Sequence, residues 1–153
     1  MKLEVFEICR NFSLVLKKFR MEYQNLPPIV LVDDDIDECN LFQEALQELK
    51  INNDLLCFHN ASSFLEFIVK ENFYPAITFI DLHIHNFSGI ELIEKIRKND
   101  SFKSTPIALY SNSSNPKDIE NSYSSGATLY IQKPNTFEKL KQTIKESLQK
   151  SNV

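Results

Sequence analysis

The sequence predicts an α/β domain, a doubly wound sheet of five parallel strands covered by helices on both faces. Three observations carry that expectation. Five short apolar runs recur along the chain: IVLV (Ile29 to Val32), LLCF (Leu55 to Phe58), AITFI (Ala76 to Ile80), IALY (Ile107 to Tyr110) and TLYI (Thr128 to Ile131). Stretches with helical spacing separate them. Boundary residues fall between the two kinds of segment.

Taken in order, the first run is uniformly apolar, as a strand buried on both sides must be. After it, Leu41, Phe42, Ala45, Leu46 and Leu49 form one helical stripe. The second run leads to Asn60 and Ser62, either of which can cap a helix bearing Phe64, Leu65, Phe67 and Ile68. Beyond the third run, Ser88 can cap a helix with Ile90, Leu92, Ile93 and Ile96. The fourth run precedes Pro116, suited to a first helical turn, and Gly126, suited to the left-handed residue that ends a helix. The fifth precedes Thr136, Phe137 and Glu138, a plausible start for the last helix.

Composition narrows the function. The chain has 153 residues, enough for one domain, with 42% hydrophobic and 25% charged side chains. Only 2 glycines occur, too few for a glycine-rich dinucleotide fingerprint or a Walker loop. The net charge of −4 gives no electrostatic footprint for nucleic acid. Lys2, Glu4, Glu7 and Arg10 interrupt the amino terminus, so neither a signal peptide nor a membrane span is expected, and the predicted location is cytoplasmic. Cys9, Cys39 and Cys57 are widely and irregularly spaced, and reduced thiols are the expectation.

The stretch after the first strand raises the chemical question. DDDIDE (Asp33 to Glu38) places five carboxylates in six positions. Two like charges about 4 Å apart repel by ~4 kcal/mol at an effective dielectric near 20. In a parallel sheet, functional groups gather at the carboxyl ends of the strands. The acidic block follows strand one, Asp81 strand three, Ser111 strand four and Lys133 strand five. Carboxylates, a hydroxyl and an ammonium are therefore expected on one edge, a usable reaction site.

With these residues in view, the sequence resembles the receiver domain of two-component response regulators, of the single-domain, CheY-like type. The matching motifs are VDDD (Val32 to Asp35), FIDLHIHNFSG (Phe79 to Gly89), PIALYSNSS (Pro106 to Ser114) and YIQKP (Tyr130 to Pro134). The resemblance spans residues 27–150 and leaves 1–26 as an amino-terminal extension of uncertain role, either an amphipathic segment or upstream of a natural start at Met21. It implies a flavodoxin-like strand order of 2-1-3-4-5. It makes Asp81 the phosphoryl acceptor, and Asp33, Asp34, Asp81 and the His83 backbone carbonyl the seat of Mg2+ or Mn2+, with Asp35 outside that set. Ser111 and Lys133 become the groups that meet the phosphoryl oxygens, and Ser111 and Tyr130 the switch pair. The Lys133–Pro134 peptide is expected to be cis.

The implied function is that of a stand-alone phosphoacceptor rather than an enzyme, with at most metal-dependent self-phosphorylation and autodephosphorylation. Its partners would be a histidine kinase or histidine phosphotransfer protein and a downstream protein. The downstream partner is expected on the face of helix 4, strand 5 and helix 5 (Ile119, Tyr123, Tyr130, Lys139, Lys141 and Lys145). Output is by contact or onward phosphotransfer, because too few residues lie outside the matched region for an output domain. The sequence departs from the family at His85, where proline is usual, and at Ser88 before Gly89. His83 and His85 lack the further ligands a zinc site needs, although the His83 side chain could affect hydrolysis of the acyl phosphate. A competing reading is a haloacid-dehalogenase-like phosphatase, with Asp33 as nucleophile and Asp35 as general acid/base. A third is a receiver fold that no longer takes phosphate.

Overall fold

The computed structural model describes residues 26–71 and 73–151. The expectations placed on residues 1–25, including Cys9, lie outside the described residues. Five strands, β1 (Ile29–Val32), β2 (Leu55–Phe58), β3 (Ile77–Asp81), β4 (Ile107–Ser111) and β5 (Leu129–Gln132), form one sheet. All neighbours are parallel, in the order β2-β1-β3-β4-β5. The helices are α1 (Ile36–Glu48), α2 (Ala61–Lys70), α3 (Gly89–Ile96), α4 (Pro116–Ser124) and α5 (Phe137–Ser151). Between β3 and α3 a short antiparallel ribbon pairs His83–Ile84 with Phe87–Ser88.

Alternation of side chains along the strands divides the interior into two cores. Val30, Val32, Ile80 and Leu109 pack with Phe64 and Ile68 of α2 and with Leu92 and Ile96 of α3. Ile29, Leu31, Phe79 and Tyr110 pack with Phe42 and Leu46 of α1 and with Leu140 and Ile144 of α5. On this second side Phe42 meets Phe79 at 5.1 Å and Tyr110 at 5.4 Å, both edge to face, a geometry that aromatic quadrupoles favour. β1 is buried along its whole length, whereas β2 and β5, at the sheet edges, are mostly half-buried. Leu41 leaves the expected α1 stripe and is exposed, because it lies at the margin of the apolar face that Phe42, Ala45 and Leu46 define.

Local signals explain the element boundaries. Asp35 caps α1 by accepting from the Asp37 N–H at 2.9 Å. Asn60, not Ser62, caps α2, accepting from the Ser63 N–H at 2.8 Å. Ser88 stands at the start of α3 but its hydroxyl makes no capping bond. Asn115 caps α4 with Pro116 in the first turn, and the Thr136 hydroxyl accepts from the Lys139 N–H at the start of α5. Gly126 ends α4 with φ of 106°, a conformation that a side chain disfavours.

Two expectations are corrected. Cys39 and Cys57 are joined in a disulfide, with Cα atoms 6.3 Å apart, and are not free thiols. Their separation of 18 residues fits no spacing pattern. The β1–α1–β2 crossover is what lays α1 against the edge strand and brings the two sulfurs together. No described peptide bond is cis, so Lys133–Pro134 is trans. Trans is intrinsically favoured by about 0.5–1 kcal/mol even before proline, and Lys133 reaches its partners in that form.

Candidate functional site at the carboxyl edge of the sheet

The parallel sheet delivers its strand ends to one rim. β1 ends at Val32 and hands over directly to Asp33, which is almost wholly buried. Its N–H donates to the Phe58 carbonyl at 3.1 Å, while its Oδ1 accepts from the Asp35 N–H at 2.9 Å. Asp81 is the last residue of β3, with its side chain 15% exposed. Ser111 ends β4 and is buried. The Lys133 N–H donates to the Ser111 carbonyl at 2.8 Å, extending the β4–β5 ladder by one rung.

Lys133 organises the charges. Its Nζ donates to Asp33 Oδ2 at 2.7 Å and lies 3.5 Å from Asp81 Oδ1 and 3.8 Å from Glu38 Oε1. It also sits 5.2 Å from the centre of the Tyr110 ring, a cation–π contact. Burial alone pulls the ammonium down, but the Asp33 hydrogen bond and the charges of Asp33, Asp81 and Glu38 outweigh it, leaving Lys133 above its ordinary pKa. Asp81 is raised: burial disfavours its charge, Lys133 offsets part of that, and Asp33 adds to it. Glu38 is raised by burial first, again partly offset by Lys133.

Asp33, Asp34 and Asp81 each offer a carboxylate oxygen within 4.8 Å of the others. Three hard oxygen donors at that spacing fit a magnesium or manganese ion. The Asp34 carboxylate is held from across the rim by His85, whose N–H donates to Oδ2 at 2.9 Å and whose Nδ1 is 3.1 Å from the same atom. His83 lies on the ribbon with its side chain exposed, and the neighbouring Ile84 is buried and anchors that ribbon. A third histidine, His59, sits on the same rim with its Nδ1 3.2 Å from the Asp33 carbonyl oxygen.

A chain of hydrogen bonds leads away from this site. Ser111 Oγ accepts from the Ser113 N–H at 3.1 Å, and the Ser113 carbonyl accepts from the Tyr130 hydroxyl at 2.7 Å. The Tyr130 N–H donates to the Tyr123 hydroxyl at 3.2 Å. Ser111 is thereby linked to α4 and β5 through two tyrosines.

The structure therefore brings together Asp33, Asp34, Asp81, Lys133 and Ser111, with Tyr130 linked to Ser111 through the Ser113 backbone. Asp35 faces its own helix as a cap, a geometry that does not support the role of general acid/base in a phosphatase. Lys141 leaves the expected docking face: it pairs with Glu48 of α1 at 2.6 Å and with Glu138 at 2.7 Å. It points toward α1 because the Glu48 carboxylate meets it there, while Glu138 pairs with it from one turn earlier on α5. Sequence reasoning missed Glu38 and Tyr110 as neighbours of Lys133. Tyr110 reads as core, and only its place next to Ser111 at a strand end hinted otherwise.

Fold and rim together have the form of an α/β signalling module, and the comparisons place the chain in a family of such modules. Residues 29–145 match the family model described as the response regulator receiver domain. The chain belongs to that family, whose members serve in two-component systems as signalling domains rather than as enzymes of the usual kind. It is similar to the response regulator Rcp1 of Synechocystis, at 25% identity over 127 residues, covering 78% of this chain and 86% of that protein. It also resembles the crystal structure of the phosphorylated cyanobacterial phytochrome response regulator RcpA. That match has 25% identity and a TM-score of 0.71, over 79% of this chain and 90% of the other. The fold further matches a structure of the Mn2+-bound form of response regulator Rcp1, at 21% identity and a TM-score of 0.67, over 78% and 91% of the two chains. Receiver domains typically act with histidine kinases and downstream proteins. No helix among the described residues is long and apolar enough to cross a membrane.

Proposed function

We propose that this chain accepts a phosphoryl group on Asp81 within a phosphorelay and signals through phosphorylation-dependent contacts or onward transfer. The observation that carries the reading is the convergence on Asp81. The Lys133 ammonium lies 3.5 Å from its Oδ1, and Asp33 and Asp34 share its rim within 4.8 Å. A carboxylate oxygen of Asp81 attacks the phosphorus of a phosphohistidine on a kinase or phosphotransfer protein. The P–N bond breaks, the imidazole leaves and an acyl phosphate forms.

Phosphoryl transfer depends mostly on positioning and charge neutralisation. Lys133 is placed to pair with one phosphoryl oxygen as a point charge. Ser111, whose Oγ accepts from the Ser113 N–H, would donate its own hydroxyl hydrogen to another and so draw the β4–α4 loop toward the site. Tyr130, bonded to the Ser113 carbonyl, responds to that movement and carries it to α4 and β5. Asp33, Asp34, Asp81 and the His83 carbonyl would hold Mg2+ or Mn2+, which when bound supplies charge neutralisation at the phosphoryl oxygens. In this reading residues 27–150 are the receiver unit and 1–26 an appended segment, the site is cytoplasmic, and the protein acts without nucleic acid or membrane.

The docking surface for the downstream partner is the α4–β5–α5 face, with exposed Tyr123, half-buried Tyr130 and Ile119, and exposed Lys139 and Lys145. Lys141 is not part of it.

Labelling with acetyl phosphate and Mg2+, followed by peptide mapping, tests the reading. Label on Asp81, lost in Asp81→Asn, is the expected result. Label on Asp33 would support the phosphatase instead, and no label on the folded protein would leave a receiver fold without phosphoacceptor function.

A further inference from the structure

The charges of the rim are compensated unequally. Lys133 serves Asp33, Asp81 and Glu38, all within 3.8 Å of its Nζ, and Asp34 is not among its partners. Asp34 instead receives two donors on one oxygen from a single residue 51 positions away: the His85 N–H at 2.9 Å and its Nδ1 at 3.1 Å. His85 adopts a left-handed backbone, with φ of 50°, at the turn of the His83–Ser88 ribbon. Such a conformation is uncommon for a residue with a side chain. A proline, which the family usually has here, could make neither contact with these atoms, having no N–H and a φ fixed near −65°.

We infer that His85 is a positioning residue for the cation seat. It holds Asp34 Oδ2 with both donors and leaves Oδ1 to face a divalent ion as a single-oxygen ligand. This inference rests on the reading of Asp33, Asp34 and Asp81 as that seat. The physical case is geometric. Mg2+ demands near-ideal octahedral geometry and meets few protein ligands, so the orientation of each carboxylate counts. Groups that hydrogen-bond a ligating carboxylate fix that orientation, and their loss typically weakens metal binding by about 10–100-fold. The role requires only a neutral imidazole carrying its proton on Nδ1. It also ties the β3–α3 ribbon to the loop after β1, so the two halves of the seat move as one unit.

Substitutions separate the contributions. Asparagine carries Nδ2 at the same number of bonds from Cα as the histidine Nδ1, keeps the backbone N–H and tolerates left-handed φ. His85→Asn therefore preserves the positioning contacts while removing the imidazole. His85→Ala removes the side-chain donor, and His85→Pro removes the backbone donor and the left-handed turn as well.

Mg2+ affinity is measured by isothermal titration calorimetry on the full chain and these three variants, with metal-free thermal melts to establish that each is folded. The expected order is wild type and His85→Asn alike, His85→Ala weaker by about 10-fold, and His85→Pro weaker still. Unchanged or tighter binding by His85→Ala overturns the inference, the second because the ring would then compete with the cation. His85→Asn as weak as His85→Ala also overturns it, since the imidazole would then be a ligand in its own right. A wild-type chain that binds no Mg2+ removes the cation seat itself and this role with it. Wild-type binding with no effect of the variants removes the role alone.

Discussion

Replacing Lys133 by methionine removes the ammonium that three carboxylates share while keeping an unbranched side chain over the Tyr110 ring. At an effective dielectric near 20, the attraction is ~6 kcal/mol for Asp33 at 2.7 Å and ~4–5 kcal/mol each for Asp81 at 3.5 Å and Glu38 at 3.8 Å. Desolvation of the ammonium and of Asp33, whose side chain is 1% exposed, opposes most of this. Breaking a buried pair by deleting one partner costs about 3–5 kcal/mol, because the other charge is left uncompensated, and that is the expected loss. A domain of this size has about 5–15 kcal/mol to lose, so the variant stays folded. Urea unfolding at neutral pH, metal-free and with the disulfide intact, measures it. Adding Asp33→Asn removes the stranded charge and recovers part of the loss, giving a coupling energy well above the ~1 kcal/mol of an exposed pair. A loss under ~1 kcal/mol, or additive single and double variants, would refute the view that Lys133 neutralises a buried acidic cluster.

Gly89→Ala is expected to cost about 1–3 kcal/mol despite alanine's better helix propensity, since the new Cβ would overlap the Asp81 carbonyl oxygen; a thermal melt no lower than wild type would contradict this close approach. Reducing Cys39–Cys57, which closes a loop of 18 residues, should lower unfolding free energy by about 2–4 kcal/mol. The Cys39→Ser/Cys57→Ser chain should not respond to reductant. Tyr110 is raised above its ordinary pKa of 10.0 by burial and by the nearby Glu38 carboxylate. A group raised in the folded state contributes stability that is present below its unfolded pKa and lost as pH rises toward the folded value. Stability should therefore fall above about pH 10, less steeply in Tyr110→Phe, and an alkaline titration should show the Tyr110 phenol ionising only with unfolding.

Much of the fold was readable because its signals are local. Runs such as IVLV must be strands buried on both sides, and Pro116 and Gly126 bracket a helix by their own backbone limits. The rim was readable for a related reason: in a parallel sheet the residue after each strand is delivered to the same edge, so Asp33, Asp81, Ser111 and Lys133 could be placed together. The partners of these residues were not readable. Cys39 and Cys57 meet only because α1 crosses back over β2. Lys141 turns to α1 only because Glu48 waits there.

The order of residues by itself determined which chemical groups reach the rim, since strand periodicity and parallel connection act within a few positions. Tertiary packing decided how their charges are shared: Lys133 among Asp33, Asp81 and Glu38, and His85 on Asp34 from 51 positions away. Coulomb attraction and hydrogen bonding depend on distances of a few ångströms between segments far apart in the chain, and only the folded backbone sets those distances.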